Sequence, residues 1–405
     1  MKYKNIIRSC IIAATTLALL WAIPSLVSTA TYSSQNHPFV YFSSVVKQFC
    51  FRKTIGKQTQ RYDAAGQEYT ESQFDSIMPM MYYRQLALNG LMPDSINGAA
   101  VTPQIIRSNS FIFRYRPSEM SQPHIGLYVL LESMSGRANL QSPGDAFRFK
   151  DKIEFIDILA NTVDREKSEL YEKELNKRGY TFPTQWAFGD FSTQKSFDEG
   201  YFALDASGQF FHMKQVSGKP FIRNTKVGDS ISIAHFSMLN VSNKRFYGFV
   251  FDNQGYMYIL ESPSYKLRKL DLPPLSLHGD DVLIMGNMFY WTVTVTTEEG
   301  KKYFALNNET LQKVDEYLLD NKTNRWDKVS SWLFPAYITL SDNSSRFVQP
   351  KVHFTALTAF ALNIAIALIF AIFARKKVNV AFHAVYILVT GVAGLIAVLI
   401  TPDFK

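Results

Sequence analysis

Metal-capable side chains crowd together once in this chain, in "HGDD", His278 to Asp281. An imidazole and two carboxylates in one loop are residue types that ligate a divalent cation. The same residues also make a polar turn after the apolar "DLPPLSL". Asp205 and Asp252 are further acids in prominent places, but each stands three residues before a glycine, Gly208 and Gly255. That spacing is Asx-turn chemistry, in which the carboxylate accepts from its own backbone. Asn363 and His383 interrupt the apolar C-terminus and are readable as a polar pair or a proton relay. The Asn-x-Ser/Thr triplets at Asn240, Asn308, Asn321 and Asn343 matter only in a eukaryotic secretory path.

Established catalytic signatures are missing. The sequence has no Walker loop, no dinucleotide fingerprint, no G-x-S-x-G elbow and no HExxH. It is therefore not an ATPase of the usual type, and it points to no catalytic residue, metal ligand or cofactor. Cys10 and Cys50 lie inside and beyond an apolar N-terminal run, which disfavours a disulfide between them, and no zinc spacing occurs.

The elements that would position any site divide by charge and hydropathy. The net charge is +8. Lys2, Lys4 and Arg8 precede the run "CIIAATTLALLWAIPSLV", and Arg375, Lys376 and Lys377 separate two long apolar stretches near the C-terminus. The residues between these ends are almost neutral, so no basic footprint for nucleic acid exists on the central region. Phe354–Ala374 and Val378–Ile400 are long enough to cross a hydrocarbon core of about 30 Å. Joined by three basic residues, they read as an antiparallel hairpin whose turn is held in the cytoplasm. The N-terminal cluster gives the same polarity: cytoplasmic N-terminus at 1–8, a membrane anchor at 9–30, an extracytoplasmic region at 31–350 and a transmembrane hairpin at 351–405. A cleaved signal peptide is the alternative for the first segment, because "SLVSTA" ends in small residues.

The region 31–350 reads as mainly β. "YFALDASGQFFHMK" (Tyr201–Lys214) and "YGFVFDNQGYMYIL" (Tyr247–Leu260) are hairpins with the same Asp-x-x-Gly turn, and "YWTVTVTTEEGKKYFAL" (Tyr290–Leu306) is a weaker copy turning at Gly300. "RYDAAGQEY" carries the turn again upstream. The turn glycines are spaced 47 and 45 residues apart, which is the size of a propeller blade. A propeller-like domain is expected, with a meander or sandwich as the alternative. Replacing Gly208 or Gly255 should then destabilise it alike. Two helical insertions are expected, one from Pro79 to near Gly90 and one over Glu154–Gly179 with Ile156, Leu159, Val163, Leu170 and Leu175 inward.

The stretches "YTESQFDSIMPMMYYRQLALNGLMPDSING" and "FVYFSSVVKQFCF", with the C-terminal hairpin, resemble an uncharacterised family of Bacteroidetes inner-membrane proteins of the domain-of-unknown-function 4857 type. The resemblance covers nearly the whole chain and transfers no catalytic residue. It implies an accessory role beside ABC-transporter membrane or ATPase subunits, hence a multi-pass protein of the bacterial cytoplasmic membrane with its main domain in the periplasm. The expected function is a non-enzymatic accessory or sensor protein. The alternative is a membrane-tethered enzyme acting on envelope carbohydrate.

Overall fold

A computed structural model describes residues 2–32, 36–123, 126–321, 324–340, 345–374 and 380–401. Two compact units emerge, one of residues 38–319 and one of residues 1–37 with 320–405. Residues 320–350 thus cluster with the terminal helices rather than with the β region.

The chain starts with α1 (Lys2–Thr31) of the terminal unit. The β unit follows. Its first sheet is a meander of β1 (Phe39–Phe42), β2 (Phe49–Ile55) and β3 (Gln58–Asp63). Next come α2 (Glu71–Ile77), opened by a capping box of Thr70 and Gln73, and α3 (Pro79–Leu88), whose proline takes the first turn. Small elements β4 (Ser95–Ile96), β5 (Ala99–Ala100) and α4 (Pro103–Ser108) lead to β6 (Phe111–Tyr115). A second sheet holds β7 (Leu127–Tyr128), β8 (Asp145–Phe149), β9 (Ile153–Asp157) and β10 (Thr162–Asp164), followed by α5 (Arg165–Lys177). The third is β11 (Trp186–Gly189), β12 (Tyr201–Leu204), β13 (Phe210–Val216) and β14 (Lys219–Asn224). The fourth is β15 (Ile233–Met238), β16 (Phe246–Asp252), β17 (Met257–Glu261) and β18 (Leu267–Lys269). The fifth is β19 (Asp281–Gly286), β20 (Tyr290–Thr296), β21 (Gly300–Asn307) and β22 (Lys313–Asp320). β6 joins this last sheet beside β19, in register from Phe111↔Gly286 to Tyr115↔Val282.

These antiparallel sheets pack face to face, and the middle strands are apolar on both sides for that reason. In β12, Tyr201 and Ala203 face the second sheet with Phe147 and Phe155, while Phe202 and Leu204 face the fourth with Phe236 and Tyr247. In β16, Tyr247 and Val250 turn to the third sheet, while Phe249 and Phe251 meet Trp291 and Ile284 of the fifth. Val40, Phe42 and Phe49 of the first sheet pack on Tyr303 and Ala305 of the fifth. The β unit is therefore a succession of sheets with cores between neighbours, not a closed barrel.

The expected helix over Glu154–Gly179 is confined to its second half. Residues before Asp164 form the hairpin β9–β10, turning where Asn161 takes a positive φ. Asp164 caps α5 by accepting from Lys167 N. Leu159 is 96% exposed, and the buried face is Ser168, Tyr171 and Leu175. In the β20–β21 turn, Gly300 opens β21, and Thr297 N donates to Gly300 O at 2.8 Å.

The terminal unit continues with α6 (Arg325–Leu333), the hairpin of β23 (Ala336–Thr339) and β24 (Lys351–Phe354), α7 (Ala359–Phe373) and α8 (Val380–Ile400). The expected span from Phe354 is shorter than read, because Phe354 pairs with Ala336 in the β hairpin and the helix starts at Ala359. Among the described residues, two helices, Ile6–Thr31 and Val380–Ile400, are long and apolar enough to cross a membrane; α7 has 15 residues. Ile12, Ala367, Phe370, Ile387 and Ala397 form the seam among α1, α7 and α8. Tyr386 OH donates to Thr16 Oγ1 at 2.7 Å across it. Inside α8, Gly391 leaves the helical region with φ 61° and ψ −140°. Asn363 Nδ2 donates to the Leu388 carbonyl at 3.0 Å, in the turn before that break.

Candidate functional site

The Asp-x-x-Gly turns are built alike. In each, the aspartate Oδ1 accepts backbone N–H groups two and four residues on: from Ala65 and Gln67 at Asp63, from Ser207 and Gln209 at Asp205, and from Gln254 and Tyr256 at Asp252. Gly66, Gly208 and Gly255 all take φ between 80° and 85°, which a side chain resists. At the first and last turns the other carboxylate oxygen accepts from a tyrosine six residues on, Tyr69 or Tyr258, at 2.8 and 2.9 Å. Burial, and then that bond to a carboxylate, push both phenols up to about 12, so each remains a donor. Asp205 has Phe211 at that position and receives Thr181 N instead. All three carboxylates are buried and spent on the turns.

Equivalent turns in the third and fourth sheets open on the same cleft. It measures about 640 Å³, and its lining includes Gly208, Asn253, Trp186 and the connector from Gly228 to Ala234. That volume lies in the range of small-molecule sites, roughly 300–1,000 Å³. Trp186, at the head of β11, is held against Phe188 and Phe210 at ring distances of 4.8 and 5.7 Å. Gln185 Nε2 donates to Asp205 O at 2.8 Å, Asn253 Nδ2 to Ser232 Oγ at 2.7 Å, and Gln209 Nε2 to Asp229 Oδ1 at 2.8 Å. The polar rim is thus oriented by secondary hydrogen bonds.

Beside the cleft, β15 carries a buried imidazole. His235 Nε2 lies 2.9 Å from Ser237 Oγ and 3.4 Å from Glu119 Oε2, with Phe188 and Tyr115 against the ring. A serine, histidine and acid invite comparison with a catalytic triad. Here both partners face one ring nitrogen, whereas proton relay through imidazole needs them on opposite nitrogens. His212, between the third and fourth sheets, is wholly buried and stacks 4.2 Å from Phe202. Its Nδ1 pairs with Tyr265 OH at 2.8 Å and its Nε2 with Glu199 O at 2.5 Å. Burial lowers its pKa to about 3, so it is neutral at physiological pH.

The other residues singled out from sequence have plainer placements. Asp280 Oδ2 accepts from Ser276 N at 2.8 Å, closing the "HGDD" turn, and Asp281 starts β19. Among the described residues, no group of three or more His, Cys, Asp or Glu side chains is set to hold a metal ion. Burial raises the Asp281 pKa, against the opposing pull of Arg114, Arg116 and Lys301. Lys2, Lys4 and Arg8 belong to α1. Arg375, Lys376 and Lys377 lie outside the described residues. Asn363 bonds Leu388 O, while the His383 ring lies 6.5 Å from that of Phe370. Both cysteines are free. The Trp186 cleft and the Glu119–His235–Ser237 cluster escaped sequence reading, because their members are separated along the chain and match no spacing rule.

The family described as Domain of unknown function (DUF4857) matches residues 39–306, and the chain belongs to it. No curated protein matches the sequence. Solved structures with some likeness include PorZ, an essential bacterial surface component of the type-IX secretion system of Porphyromonas gingivalis, at 10% identity and a TM-score of 0.22. The match covers 73% of this chain and 33% of PorZ, so the chain spans about a third of that protein. Another is the dihydro-haem d1 dehydrogenase NirN in complex with DHE, at 9% identity, a TM-score of 0.20, and coverage of 71% and 85%.

Proposed function

Starting from membership of this family, we propose that the chain is a membrane-anchored, non-enzymatic binding or sensor protein of a bacterial cytoplasmic membrane. The observation that carries this reading is the outward apolar surface of the terminal unit. Leu17, Leu26, Ile364, Leu368, Phe382 and Val389 are each 48% or more exposed. Water would penalise such a surface, and lipid would cover it. We take the 15-residue α7 as a third span, which the bilayer meets by thinning locally. Lys and Arg clusters at both ends keep the N-terminus and the 375–377 turn in the cytoplasm, and the β unit faces the periplasm.

The β unit acts as the receptor, a propeller-like array whose sheets serve as blades. The 47-residue recurrence of the Asp-x-x-Gly turn and the face-to-face succession of sheets support that geometry. Its cleft has the volume of a ligand site and oriented polar groups. Glycoside hydrolysis runs on a pair of carboxylates, and the cleft lining holds one acid, Asp229, which favours binding over the carbohydrate-processing enzyme. Partnership with ABC-transporter membrane or ATPase subunits, and not with nucleic acid, is part of this proposal; the family resemblance is what suggests it. Carbonate washing of membranes followed by affinity purification in mild detergent tests this reading. The chain should stay in the membrane pellet and bring a permease and an ATPase with it. Release by carbonate would overturn the anchoring, and recovery alone would overturn the partnership.

A further inference from the structure

We propose that the Trp186 cleft binds a neutral saccharide, an assignment that rests on the reading of the β unit as a receptor. Three features of the cleft select this ligand class. First, Trp186 is half-buried and wedged between Phe188 and Phe210, so its indole is a fixed plate in the cleft wall. A sugar ring presents a face of C–H groups that packs on an aromatic plane, and a plate already immobilised loses little entropy when it is covered.

Second, the polar lining mixes donors and acceptors and is oriented before any ligand arrives. Gln185 is tied by its amide nitrogen to Asp205 O, which leaves its carbonyl end to accept from a ligand hydroxyl. Asn253 is tied through Nδ2 to Ser232 Oγ, leaving its Oδ1 for the same purpose. Ser230 adds a hydroxyl that can donate or accept. Polyols need this two-way complement, because every hydroxyl is both donor and acceptor.

Third, charge excludes the other common small ligands. The lining holds one acid, Asp229, and neither lysine nor arginine. A phosphate or carboxylate ligand would meet a carboxylate and no cation in the lining, an arrangement that costs affinity. Asp229 already accepts from Gln209 Nε2 at 2.8 Å and lies 4.0 Å from Lys226 Nζ, so it does not demand a cationic ligand.

The test uses the full-length protein in lipid nanodiscs, prepared without glycoside detergent, which would itself occupy a sugar site. Calorimetric titration with a panel of neutral di- and trisaccharides is compared with sugar phosphates and uncharged tripeptides. At least one neutral saccharide should bind saturably, and Trp186→Ala should weaken it by about ten-fold or more. Because Trp186 also packs on two phenylalanines, Asn253→Ala at the exposed rim provides a second variant; it should weaken binding about three-fold with an unchanged Tm. Preference for sugar phosphates or tripeptides with sensitivity to Trp186→Ala would overturn the saccharide assignment and leave the receptor reading intact. Saccharide binding that ignores both variants would overturn the assignment to this cleft. Binding by no member of the panel, from a protein that still fractionates with the membrane, would overturn the saccharide inference without touching the anchor.

Discussion

The two units treat the same kind of residue in opposite ways. In the β unit, Phe202, Phe210, Phe211, Phe249 and Phe251 are wholly buried between sheets. In the terminal unit, Phe373 is 87% and Phe382 69% exposed. A chain in one solvent would not evolve both patterns side by side, since the free energy of hiding apolar surface is similar wherever water is the alternative. The proposed membrane anchoring accounts for the difference through two solvents. The β unit makes its own apolar medium from neighbouring sheets; the helices keep a narrow seam that includes Phe370 and Tyr386, and on this proposal lipid covers the rest.

The largest effect should come from opening a β core. Phe249 lies 4.1 Å from Phe113 and 6.1 Å from Trp291 by ring centroid. Phe249→Ala should cost about 3–5 kcal/mol in urea denaturation, whereas Phe382→Ala should leave that transition unmoved. The converse change probes the helices. Val389→Arg, on the exposed face of α8, should penalise membrane insertion by about 2.5–3.5 kcal/mol, read as the fraction of chain integrated. Were that face in water, the same substitution would change little.

The turns give a finer contrast within the β unit. Gly208→Ala should cost about 1–2 kcal/mol, the strain of a left-handed backbone, because a Cβ there meets open space. Gly255→Ala should cost more, since its Cβ would run into the Leu275 carbonyl oxygen. The equivalence expected from sequence thus holds for backbone conformation but not for surroundings, and thermal unfolding of the two variants resolves it.

Acid gives a prediction of similar size. His212 has its pKa lowered from 6.5 to about 3, chiefly by burial. The unfolded chain binds this proton below about pH 6.5 and the folded one does not until about pH 3. Stability from this group is therefore complete above pH 6.5 and is lost as pH falls towards 3. The loss at pH 5.5 should be about 1.4 kcal/mol, and the helical unit's integration in membranes should show no matching change. Urea titrations at successive pH values measure it.

Local chemistry was readable from sequence where it acts over a few residues. The hairpins at Gly208 and Gly255, the Pro79 start of α3 and the apolar character of the terminal segments all follow from neighbours along the chain. What the sequence hid is non-local. β6 pairs with β19 across more than 160 residues, and nothing in "FIFRY" names that partner. The helix expected across Glu154–Gly179 was misleading because Ile156, Leu159 and Val163 fit a helical spacing, while Asn161 and Asp164 carried the turn and cap that divide the segment. The cleft was equally hidden: Trp186 and Asn253 come from different sheets, and only folding brings them to one wall.

Cysteine labelling in cells with a permeabilised outer membrane tests the central claim, that helices in lipid anchor a β domain on the periplasmic side. In a background lacking Cys10, Lys57→Cys at the exposed tip of the β2–β3 turn should react with a membrane-impermeant maleimide while the cytoplasmic membrane is intact. Lys376→Cys should react only after that membrane is opened. Protection of Lys57→Cys, or labelling of Lys376→Cys in intact cells, would contradict the account.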